Sequence, residues 1–347
     1  MMQIEWSRGR FPAEWERFFA AEHIPHLKRE GFYQAFFASE WDSVLVRAGS
    51  SAMLHSLCTS RIPGTDYFDA ESWLGYGGPL FNEAAQANSK FPHTAIDVYR
   101  RSCAERRIVA ESIRFDPATA EHEFLQGIPS LSIGSFRDVV LVPLKSRPGQ
   151  LHTVYRSECA RRLRKYRSRY RVSIATPDGY ARFWRLHSES LTRVGAAPRW
   201  FFSERCLNRL LQMNGLHLLE VSTEFSGEPV CAAVIVLAPV SHSLLVGNLD
   251  PYQHPSSCDV LMDAFLEKAN AYGASVACLG GGGTTAPDDS LLRYKLRFSK
   301  SGRTPLHTGL LVHDDRVYSD LVRKAHKPAA PSRAIDPIMQ RLFPYRC

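Results

Sequence analysis

The chain has 347 residues, of which 44% are hydrophobic and 22% charged, with a formal net charge of +8 and an isoelectric point near 9.1. This composition is ordinary for a globular protein with a sizeable core, and the length favours two domains over one. No stretch approaches the roughly 18 apolar residues that cross a bilayer, and the charged N-terminus lacks the apolar region of a signal peptide, so we expect a cytoplasmic protein with no integral membrane association.

The first part of the chain, residues 1–143, alternates short helical and strand patterns and ends on RDVVLVPL, an apolar run of strand length. Residues 146–150 (SRPGQ) follow as the predicted linker, because Pro and Gly interrupt a polar stretch there.

A strongly basic run comes next, at residues 156–171, with seven Arg and one Lys against Glu158 alone. The run has helical propensity. A clustered positive stripe suits a polyanion such as RNA, and a solvated helix face has the same composition, so both interpretations stay open.

The second half of the chain predicts a short strand at VSIA, a helix over 179–194, and three strands joined by short loops at LHLLEVST, PVCAAVIVLAP and HSLLVGNL. This pattern is typical of an antiparallel sheet. A helix capped by Ser256 or Ser257 and ending at Gly273 follows, and then another strand at 275–279.

That last strand leads into four consecutive glycines, at 280–283. Because glycine has no Cβ, a ligand can approach the backbone closely there. Asp288, Asp289 and Ser290 supply N-cap chemistry for a helix that carries Tyr294 and Lys295, and a lysine among apolar neighbours predicts an anionic partner.

Two common nucleotide motifs do not fit the glycine run. A Walker A loop requires Lys directly after the last Gly, but Thr284 stands there, and a dinucleotide fingerprint requires the helix to follow without the intervening polar loop. The eight cysteines form no C-x-x-C pair and lie at no zinc spacing, so we expect reduced, mostly buried thiols and no metal site.

Several short motifs, in this order along most of the chain, resemble those of the FemAB-like transferases, a branch of the double GNAT-fold acyltransferases. The motifs are LGYGGPLF (74–81), IRFDP (113–117), the arginine-rich run after Tyr155, the strand pair around Gly227, LGGG followed by DSLLRYKLRFS, and HTGLLVHDDRVYSDL.

The resemblance implies an α/β (α+β) fold of two GNAT-like acyltransferase domains with mixed, largely antiparallel sheets flanked by helices. The first domain would comprise residues 1–150 plus 306–347, and the second, with the GGGG and YK motifs, residues 151–305. The active site would lie in the cleft between the domains, as ligand sites often do.

The implied activity is that of an aminoacyltransferase, which joins an amino acid from aminoacyl-tRNA, the donor partner, to an amine of a small-molecule or peptide acceptor without a further cofactor. Lys295 matches the family's reactive-centre lysine, and we expect it to stabilise the oxyanion, because a charged lysine acts as a base only if burial lowers its pKa. Asp116 is the second predicted catalytic residue, as a carboxylate that holds the incoming ammonium. Tyr294 would pack on the terminal adenosine.

Other residues are expected to bind substrate because they lie in turns, at a strand end or beside glycine. They are Tyr76, Asn248, Asp250, Tyr252, Gly281, Gly282, Arg193 and Arg199.

Two other functions fit the sequence as well. One is an acyl-CoA-dependent N-acyltransferase acting on an amino sugar, a polysaccharide precursor or a natural-product intermediate, although QHPSSC (253–258) lacks both glycines of the usual pyrophosphate loop. The other is an RNA-binding protein with a decayed transferase fold. The donor amino acid, the acceptor and the oligomeric state are not determined by the sequence, and no DNA partner is expected.

Overall fold

The computed structural model describes residues 2–20, 24–37, 40–71, 75–119, 121–144, 150–225, 227–325 and 342–346, without the side chains of Phe136 and Arg199. Residues 146–149 of the predicted linker and Leu74 of the LGYGGPLF motif lie outside the described residues. The chain forms two compact units, Met1–Phe136 with Leu306–Cys347, and Arg137–Pro305.

The helices and strands follow one another through both units. The N-terminal segment contains β1 (Gln3–Arg8), α1 (Glu30–Phe37), β2 (Asp42–Ala48), β3 (Ser51–Arg61), β4 (Phe68–Glu71), β5 (Leu80–Phe81), α2 (Glu83–Gln86), α3 (Phe91–Glu105) and β6 (Ile108–Arg114). Then come β7 (Leu131–Pro143), α4 (Ser157–Tyr166), β8 (Tyr170–Ile174), α5 (Tyr180–Arg193), α6 (Glu204–Leu211), β9 (Leu216–Thr223), β10 (Pro229–Val236), β11 (Val240–Asn248), α7 (Ser257–Tyr272), β12 (Val276–Gly281) and α8 (Ser290–Lys295). The C-terminal elements are β13 (Thr304–Val312) and α9 (Asp315–Lys324).

The two units have the same strand order. In the first unit the order is β1-β2-β3-β4-β6-β13, with β5 beside β3, and in the second it is β8-β9-β10-β11-β12-β7. In both, the fourth and fifth strands pair in parallel, and the other neighbouring strands within the unit pair antiparallel. A parallel pair needs a crossover, which α3 supplies in the first unit and α7 in the second.

The last strand in each order does not pair with the strand that precedes it in the chain. Strand β13 comes after β12 but pairs with β6, through Thr308–Val312 and Ala110–Arg114. Strand β7 comes after β6 but pairs with β12, with Leu141 opposite Cys278. The second unit is therefore one continuous stretch of chain, inserted between β6 and β13 of the first.

The core of the second unit lies on both faces of its sheet. Strand β10 is buried along nearly its whole length, which fits a central strand with helices on both faces. Helix α7 packs on β10, and α5 packs on β11. A Cβ on Gly247 would lie 2.7 Å from the backbone nitrogen of His187, so the absence of a side chain there lets α5 approach β11.

Several elements match their sequence-based predictions, and two differ. The antiparallel strands β9, β10 and β11 are present, and α7 ends at Gly273 with φ +92°. Ser256 holds the predicted N-cap position of α7, but its side chain makes no capping hydrogen bond and its φ is +65°. The basic run is helical only through Tyr166, followed by a 3-10 turn and then β8. Among the described residues, no helix combines the length and the apolar character needed to cross a bilayer.

Candidate active site

The glycine run of the second unit is folded back onto α8 by one carboxylate. Asp289 is the N-cap residue, and its Oδ1 accepts hydrogen bonds from the backbone N–H of Leu292 (2.9 Å) and of Gly283 (3.2 Å). Its Oδ2 accepts from the backbone N–H and the hydroxyl of Thr284, both at 2.9 Å. Burial acts to raise the pKa of this carboxyl, but the hydrogen bonds outweigh it and hold the pKa below its usual value. The positive end of α8 is thus already occupied by a carboxylate of the protein.

Three of the four glycines are required by the backbone conformation or by packing inside the protein itself. A Cβ on Gly281 would lie 2.7 Å from the carbonyl oxygen of Asp138, and one on Gly282 would clash with the Asp289 carboxylate. Gly280 has φ +71°, and its missing Cβ leaves room for Lys295 Nζ, which would lie 3.4 Å away. The spaces beside Gly281 and Gly282, both predicted to contact substrate, are therefore filled by protein atoms.

Lys295 is half-buried, and its ammonium lies over the end of β12. Nζ donates a hydrogen bond to the carbonyl oxygen of Gly281 (2.7 Å). Burial lowers the pKa of Lys295 to about 8, the positive charge of Arg137 acts in the same direction, and Cys278 and Asp289 oppose it. Near pH 8 the side chain is thus divided between ammonium and free amine, so the condition under which a lysine can exchange protons with a substrate is met.

Tyr294 points its hydroxyl into the unit. The hydroxyl is buried and has no hydrogen-bond partner among the described residues, and burial raises its pKa well above 10. The Arg297 guanidinium lies 4.8 Å from the ring centroid, and the Phe298 ring contacts it edge-on at 5.7 Å. The prediction that Tyr294 packs against an adenosine is not tested by this arrangement, and one side of the ring is already covered.

A buried ion-pair network joins α4, α7 and the turn after α8. Both oxygens of Asp259, which is 2% exposed, accept hydrogen bonds at 2.9 Å, Oδ2 from Arg162 Nε and Oδ1 from Arg297 Nη2. Arg297 also lies 3.6 Å from Glu158. The basic helix is therefore partly structural, since its Arg162 neutralises a buried carboxylate.

A pocket of about 470 Å³ lies beside this network, between the start of α4 and α8. Its lining residues are Arg156, Glu158, Ser290, Arg293, Tyr294, Leu296 and Arg297. No sequence motif pointed to it, because its two halves are far apart in the chain.

The predicted residues at the end of β11 come together with α5. The Asn248 side-chain oxygen accepts a hydrogen bond from the Ser190 hydroxyl (2.9 Å), and Arg193 Nη2 donates to the Asn248 carbonyl (2.9 Å). Asp250 Oδ1 accepts from the backbone N–H of Tyr252 (3.0 Å), and the Tyr252 side chain is 93% exposed. The side chain of Arg199 lies outside the described residues.

In the first unit, Asp116 follows β6 as predicted and is buried. Its Oδ1 accepts a hydrogen bond from the backbone N–H of Ala118 (2.9 Å). Burial raises its pKa, opposed by that N–H and by the charge of Lys28. The loop of Tyr76 lies against the same strand end, since Gly77 N–H donates to the Arg114 carbonyl (2.8 Å). The structure thus brings these two predicted site residues onto one strand end.

Sequence reasoning missed the charged and aromatic neighbours of Asp116. Lys28, 7% exposed, forms an ion pair with Glu121, and the charges of both reach Asp116. The rings of His122 and His307 stack with centroids 3.9 Å apart. Burial and then the charge of His307 lower the pKa of His122. These partners come from separate parts of the chain, so no local spacing signals them.

A second buried polar cluster in the first unit was also missed. Glu111, fully buried on β6, accepts hydrogen bonds from the Tyr99 hydroxyl (2.8 Å) and pairs with His55 Nε2 (2.6 Å), and His313 Nε2 lies 3.8 Å from its other oxygen. Burial would raise the pKa of Glu111, but His55 and His313 hold it below its usual value. Burial lowers the pKa of His313 to about 4. Among the described residues, no group of three or more His, Cys, Asp or Glu side chains is placed to hold a metal ion.

Comparison with known proteins identifies the fold. No model of a known protein family matches the chain, and no curated protein sequence does. Among solved structures, FemX superposes with a TM-score of 0.66 at 12% identity, over 91% of this chain and 99% of that one. L-PGS from Bacillus licheniformis gives 0.56 at 13% identity, over 86% and 91%. A tandem GNAT protein from the clavulanic acid biosynthesis pathway gives 0.51 at 9% identity, over 89% and 98%.

At these identities the likeness concerns the fold. The predicted α/β fold with two GNAT-like domains and largely antiparallel sheets is confirmed, and so, at the level of the fold, is the resemblance to the FemAB-like proteins.

Proposed function

We propose that this protein is an acyltransferase, and specifically an aminoacyltransferase that moves an amino acid from aminoacyl-tRNA to an amine of a small-molecule or peptide acceptor. The observation that carries the proposal is Lys295: a half-buried ammonium with a pKa of about 8, held on the Gly281 carbonyl at the end of β12, in a chain with the fold of FemX.

The reaction asks little of the protein beyond positioning and charge stabilisation. The acceptor amine attacks the ester carbonyl carbon, a C–N bond forms, and negative charge develops on the carbonyl oxygen. An ammonium has three N–H donors, and one of those on Lys295 is directed at Gly281. The others remain for the oxyanion, which a partly desolvated cation stabilises strongly.

The lowered pKa gives Lys295 a second role in the same step. When the tetrahedral intermediate collapses, the C–O bond to the ribose breaks and the leaving oxygen needs a proton. A lysine with a pKa of about 8 transfers a proton more readily near neutral pH than one with the ordinary value of 10.5.

Asp116 is assigned to the acceptor amine. The amine arrives as an ammonium and must lose a proton before it attacks. A carboxylate attracts that ammonium, and the raised pKa of Asp116 makes it a better base than an exposed aspartate.

The donor is tested by binding of bulk aminoacylated tRNA, compared with the same tRNA after deacylation, across a salt series. We expect a preference of about tenfold or more for the charged form, lost in Lys295→Met and kept in the control Lys324→Met, which removes an exposed lysine on α9. Equal binding of both tRNA forms in all three proteins would contradict the aminoacyl-tRNA donor and favour a nonspecific RNA-binding protein.

A parallel titration with acetyl-CoA tests the acyl-CoA alternative. Ser256 and Ser257, at the start of α7, stand where a CoA pyrophosphate loop has glycines, so we expect weak binding of acetyl-CoA. Tight acetyl-CoA binding without a preference for aminoacylated tRNA would make acyl-CoA the donor in place of aminoacyl-tRNA. The broader proposal of an acyltransferase would remain.

A further inference from the structure

We propose that the pocket between α4 and α8 binds the phosphate group of a nucleotide, at a site separate from Lys295. The proposal does not depend on the donor assigned above. It rests on the charge of the lining, the absence of partners for two of its arginines, and the volume of the pocket.

The lining is cationic. Arg156, Arg293 and Arg297 contribute three guanidinium groups against the single carboxylate of Glu158. Arg297 is held in place by Asp259, whereas Arg156 and Arg293 are exposed and have no ion pair or side-chain hydrogen bond among the described residues. Both arginines line the same pocket, and an oxyanion bound there accepts the forked hydrogen bonds that their guanidinium groups offer.

The start of α4 adds backbone donors to the same place. Arg156 is the N-cap residue of this ten-residue helix, and its side chain makes no capping hydrogen bond. The N–H groups of a helix's first turn point out of its N-terminus and carry partial positive charge, which favours an anion there.

The pocket lies on a different face of α8 from the Lys295 ammonium. Ser290, Arg293, Tyr294 and Arg297 recur at spacings of three and four residues, so they share one face. Lys295 leaves that face and reaches the Gly281 carbonyl on β12. Lys295 is therefore not among the residues that line the pocket.

The pocket is an open depression with more room than a phosphate group alone requires. A space of about 470 Å³ falls within the range of small-molecule sites, roughly 300–1,000 Å³, and far exceeds a bare phosphate ion. Tyr294 and Leu296 supply apolar and aromatic surface beside the arginines. A phosphate with an attached nucleoside fits this combination, and it can come from a free nucleotide or from a nucleotide within an RNA strand.

The test is calorimetric titration of the full chain with adenosine 5′-monophosphate (AMP) and with adenosine. We expect AMP to bind at least about tenfold more tightly than adenosine. Arg156→Gln and Arg293→Gln should each lower the affinity for AMP about tenfold. Arg161→Gln is the matched control, because Arg161 is an exposed arginine on α4 outside the pocket. Its affinity for AMP should stay within about twofold of the wild-type value. Thermal unfolding of each variant checks that the fold is retained.

A short single-stranded RNA distinguishes the two phosphate sources. If RNA occupies the pocket, it displaces AMP, and Arg293→Gln lowers the salt dependence of RNA binding by about 0.7 in slope. If RNA does not displace AMP, the ligand is a free nucleotide. Both results support the phosphate site.

Three results would overturn the proposal: no AMP binding by the wild-type protein, equal affinities for AMP and adenosine, or an equal loss of AMP affinity in Arg161→Gln and Arg293→Gln. Lys295→Met separates this site from the proposed function, since it should abolish the preference for charged tRNA and leave AMP affinity within about twofold. AMP binding that depends on Lys295 but not on Arg293 would place the nucleotide at the reaction site and refute the pocket.

Discussion

The ammonium of Lys295, the last residue of α8, donates a hydrogen bond across 2.7 Å to the carbonyl oxygen of Gly281, the last residue of β12. This contact fixes the end of a flexible side chain at one point of the backbone, and the burial that accompanies it lowers the lysine pKa. Four predictions follow from this site and from the buried cluster of the first unit.

The transfer rate should depend on the protonation of Lys295. If the ammonium stabilises the oxyanion, the rate falls about tenfold per pH unit above pH 8, where the folded lysine deprotonates. Lys295→Arg keeps a cation that does not titrate in this range, so its residual rate should be flat up to pH 9.5. Initial rates with labelled aminoacyl-tRNA measure this, and a fall above pH 8 that persists in the arginine variant would assign the titration to another group.

Lys295 should lower the stability of the protein at neutral pH. Its folded pKa of about 8 lies below the ordinary 10.5, so the folded state carries an unfavourable charge below pH 8, and this penalty is relieved as the pH rises from 8 to 10.5. Lys295→Met should therefore raise the free energy of unfolding at pH 7 by about 2 kcal/mol, while the exposed control Lys324→Met leaves it within about 0.5 kcal/mol. Denaturant unfolding is the measurement, and a loss of stability in the methionine variant would refute the prediction.

Adjacent glycines should respond differently to the same substitution. Gly282→Ala places a methyl group against the Asp289 carboxylate and should lower the free energy of unfolding by about 2 kcal/mol. A Cβ at Gly283 would lie 3.7 Å from the same carboxylate, so Gly283→Ala should lower that free energy by less than about 0.5 kcal/mol. In an Asp289→Ala background the cost of Gly282→Ala should shrink, because the clashing group is gone. Equal costs in both backgrounds would mean that Asp289 is not the obstacle.

The buried cluster around Glu111 should make the protein sensitive to mild acid. Below its unfolded pKa of 6.5, His313 takes up a proton in the unfolded chain, but in the folded state it does so only near pH 4, so stability falls as the pH drops from 6.5 to 4. Glu111 acts in the same sense at lower pH, because its folded pKa is held down. His313→Gln should reduce the slope of the free energy of unfolding against pH by about 1.4 kcal/mol per pH unit, while His93→Gln, at an exposed position, should leave this slope unchanged. Unfolding curves from pH 7 to 4 provide the check, and an unchanged slope in His313→Gln would show that another group titrates.

The features that the sequence predicted well depend on neighbours in the chain. Asp289 caps α8 and Gly273 ends α7, because capping chemistry is decided within one turn. Strands β9 to β11 were identified because each alternates or runs apolar between turns.

The features that were missed depend on pairing between distant segments. Lys28 meets Glu121, and His122 meets His307, only after the sheet of the first unit has formed. Residue spacing carries no information on such contacts. Cys231 and Cys258 illustrate the same limit, because the sequence shows only scattered thiols, whereas in the fold the neighbouring Cys231 lowers the pKa of Cys258.

Local pattern also leaves the burial of single atoms open. The sequence placed Tyr294 and Lys295 on the helix after the glycines, but it did not reveal that the tyrosine hydroxyl is buried or that Arg297 lies over its ring. The roles of both residues in substrate binding stay predictions until the tRNA and variant measurements are made.

The insertion of the second unit before β13 constrains how the chain can reach its native state during synthesis. The sheet of the first unit lacks its last strand until residues beyond Thr304 have left the ribosome, so this unit cannot finish folding when its own N-terminal segment is complete. The unpaired edge of β6 stays open during that interval and needs protection from other chains. A gene fragment that stops at residue 136 would encode a sheet without its sixth strand, and supplying residues 304–347 as a separate peptide is the way to complete it.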